Sequence, residues 1–248
     1  MKAVKDNFSS QAATYAQFRP VFPAELFEFL LKTTSGRAAA WDVGTGNGQV
    51  ANVLADHFEK VVATDISEAQ LSLATQRKNI EYRLERAEKT ASPDQFFDLV
   101  TVGQAIHWFD HEAFYAEVRR VAKPGAVIAV FGYELPIFEI KEINRRLLQF
   151  YESELDGFWE PERRFIDEHY ENLPFPFERI DAPDFWMFNR FQRADFEGYL
   201  SSWSAVKKYE KAKNFNPVPQ FMLELSDIWD ELDIEKAATP VILRVGHV

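Results

Sequence analysis

Apolar residues in the first half of the chain fall into short runs separated by amphipathic stretches. The runs near 39–43, 61–65, 81–87, 97–103 and 126–133 have the length of strands. The last is nearly continuous in apolar residues, as a strand buried on both faces should be. Between them, 24–32, 48–57, 68–78 and 111–121 carry apolar residues at helical spacing, and Ser67 stands where an N-cap belongs. Strands alternating with helices predict an α/β fold with a doubly wound, mainly parallel sheet. Past Tyr133 the alternation stops. There 140–154, 160–170, 194–211 and 219–232 read as helices, Leu173-Pro174-Phe175-Pro176-Phe177 as a break, and 185–191 and 241–248 as strands. Residues 5–19 form a partly amphipathic leading segment, ended by Pro20 and Pro23.

The first strand runs into Asp42-Val43-Gly44-Thr45-Gly46-Asn47-Gly48, and a helical pattern follows at once. Glycines at alternate positions between a strand and a helix mark a tight turn where backbone approaches a nucleotide-like ligand. The dinucleotide fingerprint places glycines first, third and sixth, but the sixth position from Gly44 is Gln49. No Lys-Ser or Lys-Thr pair follows, so a phosphate-cradling loop fits poorly. An acid just before the glycines suits a ligand with a cationic or zwitterionic end. Seventeen residues beyond Gly48, Asp65 closes the second strand. A carboxylate there accepts from both hydroxyls of a ribose, while the plainer reading is a helix cap or a solvated strand end.

The two motifs, with Phe97-Asp98-Leu99-Val100-Thr101-Val102-Gly103-Gln104-Ala105-Ile106-His107-Trp108-Phe109, resemble class I S-adenosylmethionine-dependent methyltransferases across about residues 38–133. Ala122-Lys123-Pro124-Gly125-Ala126 departs from the family pattern by lacking a second glycine. Tyr15, Arg19-Pro20 and Pro23, the Gln-Ala-Ile-His-Trp-Phe loop and Tyr199-Leu200-Ser201-Ser202-Trp203 are similar to the trans-aconitate methyltransferase-like, type 11 branch. The resemblance implies a Rossmann-like seven-stranded sheet with an antiparallel terminal strand and a helical lid insertion. It divides one domain, 1–248, into a helical cap (1–36), a cofactor-binding core (37–133) and a lid with the last two strands (134–248). The implied cofactor is S-adenosyl-L-methionine, yielding S-adenosyl-L-homocysteine, with no metal.

Site roles follow from the same resemblance. Asp42 with Gly44, Thr45, Gly46 and Gly48 would hold the methionine end, Asp65 the ribose, and Ile66, Ala87 and Glu88 the adenine. Gln104 and Ala105, after the fourth strand, would face the cofactor, and Tyr15 and Arg19 would close over it. His107 would position the acceptor, or act as general base if the acceptor must lose a proton. It reads equally as a core histidine stacked among Trp108 and Phe109. Trp108, Trp159, Trp186, Tyr199 and Trp203 are candidate acceptor-pocket residues, each as readily core. Arg163-Arg164 and Lys207-Lys208 could bind an acceptor carboxylate or simply form solvated helix faces.

Composition narrows the partners. The chain has no cysteine, which removes disulfides and thiolate metal sites. Its net charge of −11 is uneven: residues 1–132 hold 14 basic against 16 acidic side chains, and 133–248 hold 14 against 23. Nucleic-acid binding needs basic patches, so a small-molecule acceptor is expected rather than RNA or DNA. No apolar run approaches the ~20 residues of a membrane span, and no signal-peptide core opens the chain. A cytoplasmic monomer or homodimer is expected. The activity expected is methyl transfer from S-adenosylmethionine to a small molecule, with a carboxylate in view. The rivals are a nicotinamide-dependent oxidoreductase and a non-catalytic adenosyl-cofactor-binding protein.

Overall fold

The computed structural model describes residues 20–248. Its first half holds helix α1 (Ala24–Thr33), strand β1 (Ala39–Val43), α2 (Gln49–Leu54), β2 (Lys60–Asp65), α3 (Glu68–Ser72), β3 (Ile80–Leu84), β4 (Phe97–Gly103), α4 (His111–Val121) and β5 (Ala122–Tyr133). The second half adds β6 (Ile137–Phe138), α5 (Lys141–Gln149), α6 (Arg164–Asp167), β7 (Glu178–Arg179), β8 (Phe185–Phe191), α7 (Arg193–Ser201), α8 (Ser204–Lys213), α9 (Val218–Glu224) and β9 (Glu235–His247). The leading segment, with Tyr15 and Arg19, lies outside the described residues.

The order β3-β2-β1-β4-β5 is parallel throughout, and β9 then pairs antiparallel with β5. Nine strands occupy seven positions. Val241 of β9 pairs with Tyr133 on one edge and with Phe185 on the other, and Ala238 likewise pairs with Ile137 and Phe188. Strand β6 therefore continues β5 beyond a bend, while β7 and β8 share the outer position.

Side-chain alternation explains the two faces. Trp41, Val43, Val100, Val102, Ile128 and Val130 point to one face and meet Phe114, Val118 and Val121 of α4. Ala40, Ala63, Leu99, Ala129 and Phe131 point to the other and meet Leu26, Leu30, Val50 and Leu54 of α1 and α2. A separate aromatic core, including Phe196, Tyr199, Trp203 and Trp229, fills the helical region after β5.

Helix lengths differ from expectation where polar side chains find better partners. The 68–78 helix ends at Ser72, because Arg77 turns back to bond the Asn52 carbonyl (2.8 Å) and the Asp56 carboxylate (2.5 Å). The 160–170 helix shrinks to a 3₁₀ turn (Pro161–Arg163) and α6, since His169 and Tyr170 take left-handed backbone, φ 51° and 59°. The 194–211 helix breaks where Trp203 is extended, and the 140–154 helix ends as a π turn at Phe150–Glu154. Strand β9 starts at Glu235 rather than 241, because β8 pairs with its first half.

Candidate functional site

The turn between β1 and α2 is built on left-handed backbone. Gly44, Gly46 and Gly48 have φ of 64°, 56° and 82°, a region side chains other than glycine occupy at a cost. A Cβ on Gly44 would lie 2.6 Å from the Ala105 methyl group, and one on Gly48 would lie 2.5 Å from the Tyr82 hydroxyl. Gly46 differs, as its nearest neighbour would be Gln70 Oε1 at 3.7 Å. Two glycines are pressed by protein, and the middle one leaves room for a Cβ.

Two carboxylates lace this turn. Asp42 is buried, and accepts from the Thr45 hydroxyl (2.5 Å), the Thr101 hydroxyl (2.9 Å) and the Ala51 amide (3.1 Å). Burial outweighs those bonds and pushes its carboxyl up to about 6. Asp65 at the end of β2 accepts from the Gly46 amide (2.8 Å) and the Ser67 amide (2.9 Å), and Ser67 caps α3 through Gln70 N. Both acids preorganise the loop from within the protein.

A cleft opens above the turn, with Asp42, Gly44 and Gly46 below and Gln104, Tyr133 and Phe22 at its side. Gln104 holds a left-handed φ of 55° and its Oε1 accepts from Tyr133 N (3.2 Å). Strain of this kind in a non-glycine residue gathers at ligand sites. Ile66 is exposed on the β2 side and Ala87 is buried. Glu88 is no solvated charge: it accepts from Asp110 N (3.0 Å) and Arg86 Nε (3.1 Å), which ties it to the start of α4. His107 sits in a 3₁₀ turn (Ile106–Trp108), only 4% exposed, its ring 4.7 Å from that of Trp108. It is not among the described residues lining the cleft.

The aromatic candidates divide. Trp159 and Tyr199 lie 5.5 Å and 5.6 Å from Trp203, ring to ring, and Tyr151 joins them. Arg163 lies over Tyr151 and Trp159, at 5.5 Å and 5.1 Å from their ring centres, and donates to the Tyr151 hydroxyl (2.9 Å). Its 3₁₀ turn packs against the His107 turn, joining the lid to the loop after β4. Trp186 stands apart on outer strand β8, 40% exposed. Arg164 is exposed beside Phe165, while Lys207 pairs with Glu210 (3.2 Å) and Lys208 with Glu160 (2.6 Å). Sequence reasoning missed Phe22, Gln70, Tyr133 and Tyr170. Strand ends predict Tyr133, but no local pattern marks the others. Among the described residues no acid–histidine group could hold a metal, and no helix is long and apolar enough to cross a membrane.

Residues 41–130 match the family model described as a methyltransferase domain. A Dictyostelium discoideum protein named for methyltransferase activity is 33% identical over 222 residues, 87% of this chain and 83% of its own length. A Saccharomyces cerevisiae protein, named for S-adenosylmethionine-dependent methyl transfer, is 28% identical over 142 residues, 53% of this chain and 48% of its own. A solved structure from Anaeromyxobacter dehalogenans, named as a type II methyltransferase, superposes with a TM-score of 0.85 at 35% identity, covering 93% of this chain and 98% of the other. Family and fold agree, and the chain belongs to the class I methyltransferases, in their type 11 branch.

Proposed function

We propose that the methyl donor is S-adenosyl-L-methionine and the acceptor a small molecule, with a carboxylate oxygen the favoured nucleophile. The observation that carries this reading is the room left beside Gly46, set between Asp42 and Asp65. A donor with a zwitterionic methionine end and a ribose suits those two acids in turn. The donor supplies an electrophilic methyl group on a sulfonium. Asp42 and the glycine turn would hold the methionine end, Asp65 would exchange its Gly46 bond for the ribose hydroxyls, and Ile66 would flank the adenine. Gln70 Oε1, buried with no hydrogen-bond partner and facing Gly46, adds an acceptor for a ligand hydroxyl or amine. Gln104 would border the methyl group, and Tyr15 and Arg19 would close the site.

The protein's part is then alignment and exclusion of water, because the sulfonium is already a good leaving group. A carboxylate acceptor is ionised at neutral pH and needs no base. The test is release of S-adenosylhomocysteine from S-adenosylmethionine over a panel of carboxylic acids, hydroxyl compounds and amines, with the product identified by mass. A methyl ester is expected. Transfer to hydroxyl compounds or amines alone would refute the carboxylate reading, and no transfer with intact cofactor binding would favour a non-catalytic role.

A further inference from the structure

Tyr170 is fully buried, yet its hydroxyl has no hydrogen-bond partner. An unmet buried hydroxyl costs about 1–3 kcal/mol, and a phenyl ring would fill the same space without that cost. The residue is also held in left-handed backbone together with His169, a strain that persists only where the surroundings impose it. The surroundings do so: Tyr170 N donates to the Phe165 carbonyl (2.7 Å), and His169 Nδ1 meets Glu134 Oε1 (2.6 Å), one residue past β5.

This packing sets the hydroxyl behind the cleft wall, against Gly132 and near Gln104, and Tyr170 is not itself among the residues lining the cleft. A Cβ built on Gly132 would lie 2.7 Å from Tyr170 Oη and 2.5 Å from Gln104 Oε1. Gln104 and Tyr133, on either side of that point, both line the cleft. The hydroxyl thus stands at the C-terminal ends of β4 and β5, the end at which open α/β sheets bind ligands. Burial keeps the phenol neutral by raising its pKa, so it remains a donor, and the nearby Arg163 charge acts on it in the sense that favours an anion.

We propose that the Gln104 side chain gives way to the methyl acceptor, and that the Tyr170 hydroxyl behind it then donates a hydrogen bond to an acceptor oxygen and so orients a small oxyanion. The inference rests on the methyl-transfer reading above and names the group on the protein that receives the acceptor. The bond goes to the oxygen that does not react, which leaves the other oxygen of a carboxylate free to attack. No proton leaves Tyr170.

Tyr170→Phe tests it in three measurements on the full chain. Melting of the variant loaded with S-adenosylhomocysteine is expected to match or exceed the wild type; a fall of more than about 4 °C would mark the hydroxyl as a structural bond and overturn the proposal. Titration with S-adenosylhomocysteine is expected to be unchanged. A loss confined to the variant would assign Tyr170 to the cofactor, and no binding by either protein would overturn this proposal together with the cofactor reading. Turnover with mono-, di- and tricarboxylic acids is expected to show a KM about tenfold higher in the variant for whichever acid the wild type uses. Gly132→Ala, which keeps the phenol but crowds both its hydroxyl and Gln104 Oε1, is expected to raise the same KM. Unchanged kcat and KM in both variants overturn the role. So does a wild type that binds S-adenosylhomocysteine but turns over no acid, an outcome that leaves the cofactor reading standing.

Discussion

Asp42 is charged at neutral pH in a place that disfavours charge. Folded, its carboxyl keeps a proton up to about pH 6, while the unfolded chain releases it near the ordinary aspartate value of 3.8. Between those values the folded state binds more protons, so this group's contribution falls as pH rises from 4 to 6, by about 3 kcal/mol, and is level above. Asp42→Asn cannot titrate. The stability difference between wild type and variant, from urea melts at pH 4 to 7, is expected to move against the wild type across that window; a flat difference contradicts the assignment. A cationic ligand end beside Asp42 favours its ionised form, so cofactor affinity should rise with pH to about 6 and then level. Gly46 and Gly48 separate binding from folding. Gly48→Ala meets both strain and the Tyr82 hydroxyl and should lose about 1–3 kcal/mol of stability. Gly46→Ala meets the same backbone strain but no close contact, so its loss of stability should be the smaller and its loss of S-adenosylhomocysteine affinity the larger, measured by titration of both variants. For a carboxylate acceptor, His107→Ala should lower kcat/KM without changing the shape of its pH profile; a lost limb near pH 6–7 would make it a base. The glycines were legible because three of them at alternate positions between a strand and a helix mark a turn that favours positive φ. Tyr170 was not, because neither its burial nor its orphaned hydroxyl leaves a trace in neighbouring residues.

Among the elements, α4 shows how local signals and site geometry meet. Asp110 caps it through Ala113 N (3.3 Å) while its own amide is held by Glu88. Asp110→Ala should cost about 1 kcal/mol, read from denaturant midpoints, and a neutral result would deny the cap a role. The core elements β1, β4 and α4 were readable to the residue, because their apolar runs end at clear turn or capping residues. The lid was not. Its polar, aromatic-rich sequence carries helical spacing through Ser202-Trp203, where the chain breaks so that Trp203 enters the lid core. Strands β6 and β7 have two residues each, too short to show alternation. Phe196 is wholly buried against Phe138, Phe191 and Trp229. Phe196→Ala should cost about 3–5 kcal/mol, and with the cofactor turn outside that cluster, S-adenosylhomocysteine affinity should persist at temperatures where the variant stays folded.

At the scale of the molecule, the sheet carries the glycine turn and its two acids on one set of strand ends, while the Pro161–Arg163 turn of the lid packs against the loop after β4. On the proposed reading, cofactor recognition falls to the first half of the chain and acceptor choice to the second. The acidic excess of the second half fits a small acceptor, and no retardation of RNA or DNA is expected at low salt. The central claim is the identity of the donor, and a thermal-shift titration with S-adenosylmethionine, S-adenosylhomocysteine and NAD tests it most directly. Ligand at 100 times its Kd stabilises by about 2.7 kcal/mol, a rise of roughly 5–10 °C for a chain of this size. A rise with both adenosyl compounds and none with NAD is the predicted result. A rise with NAD alone would contradict the account from the glycine turn upward.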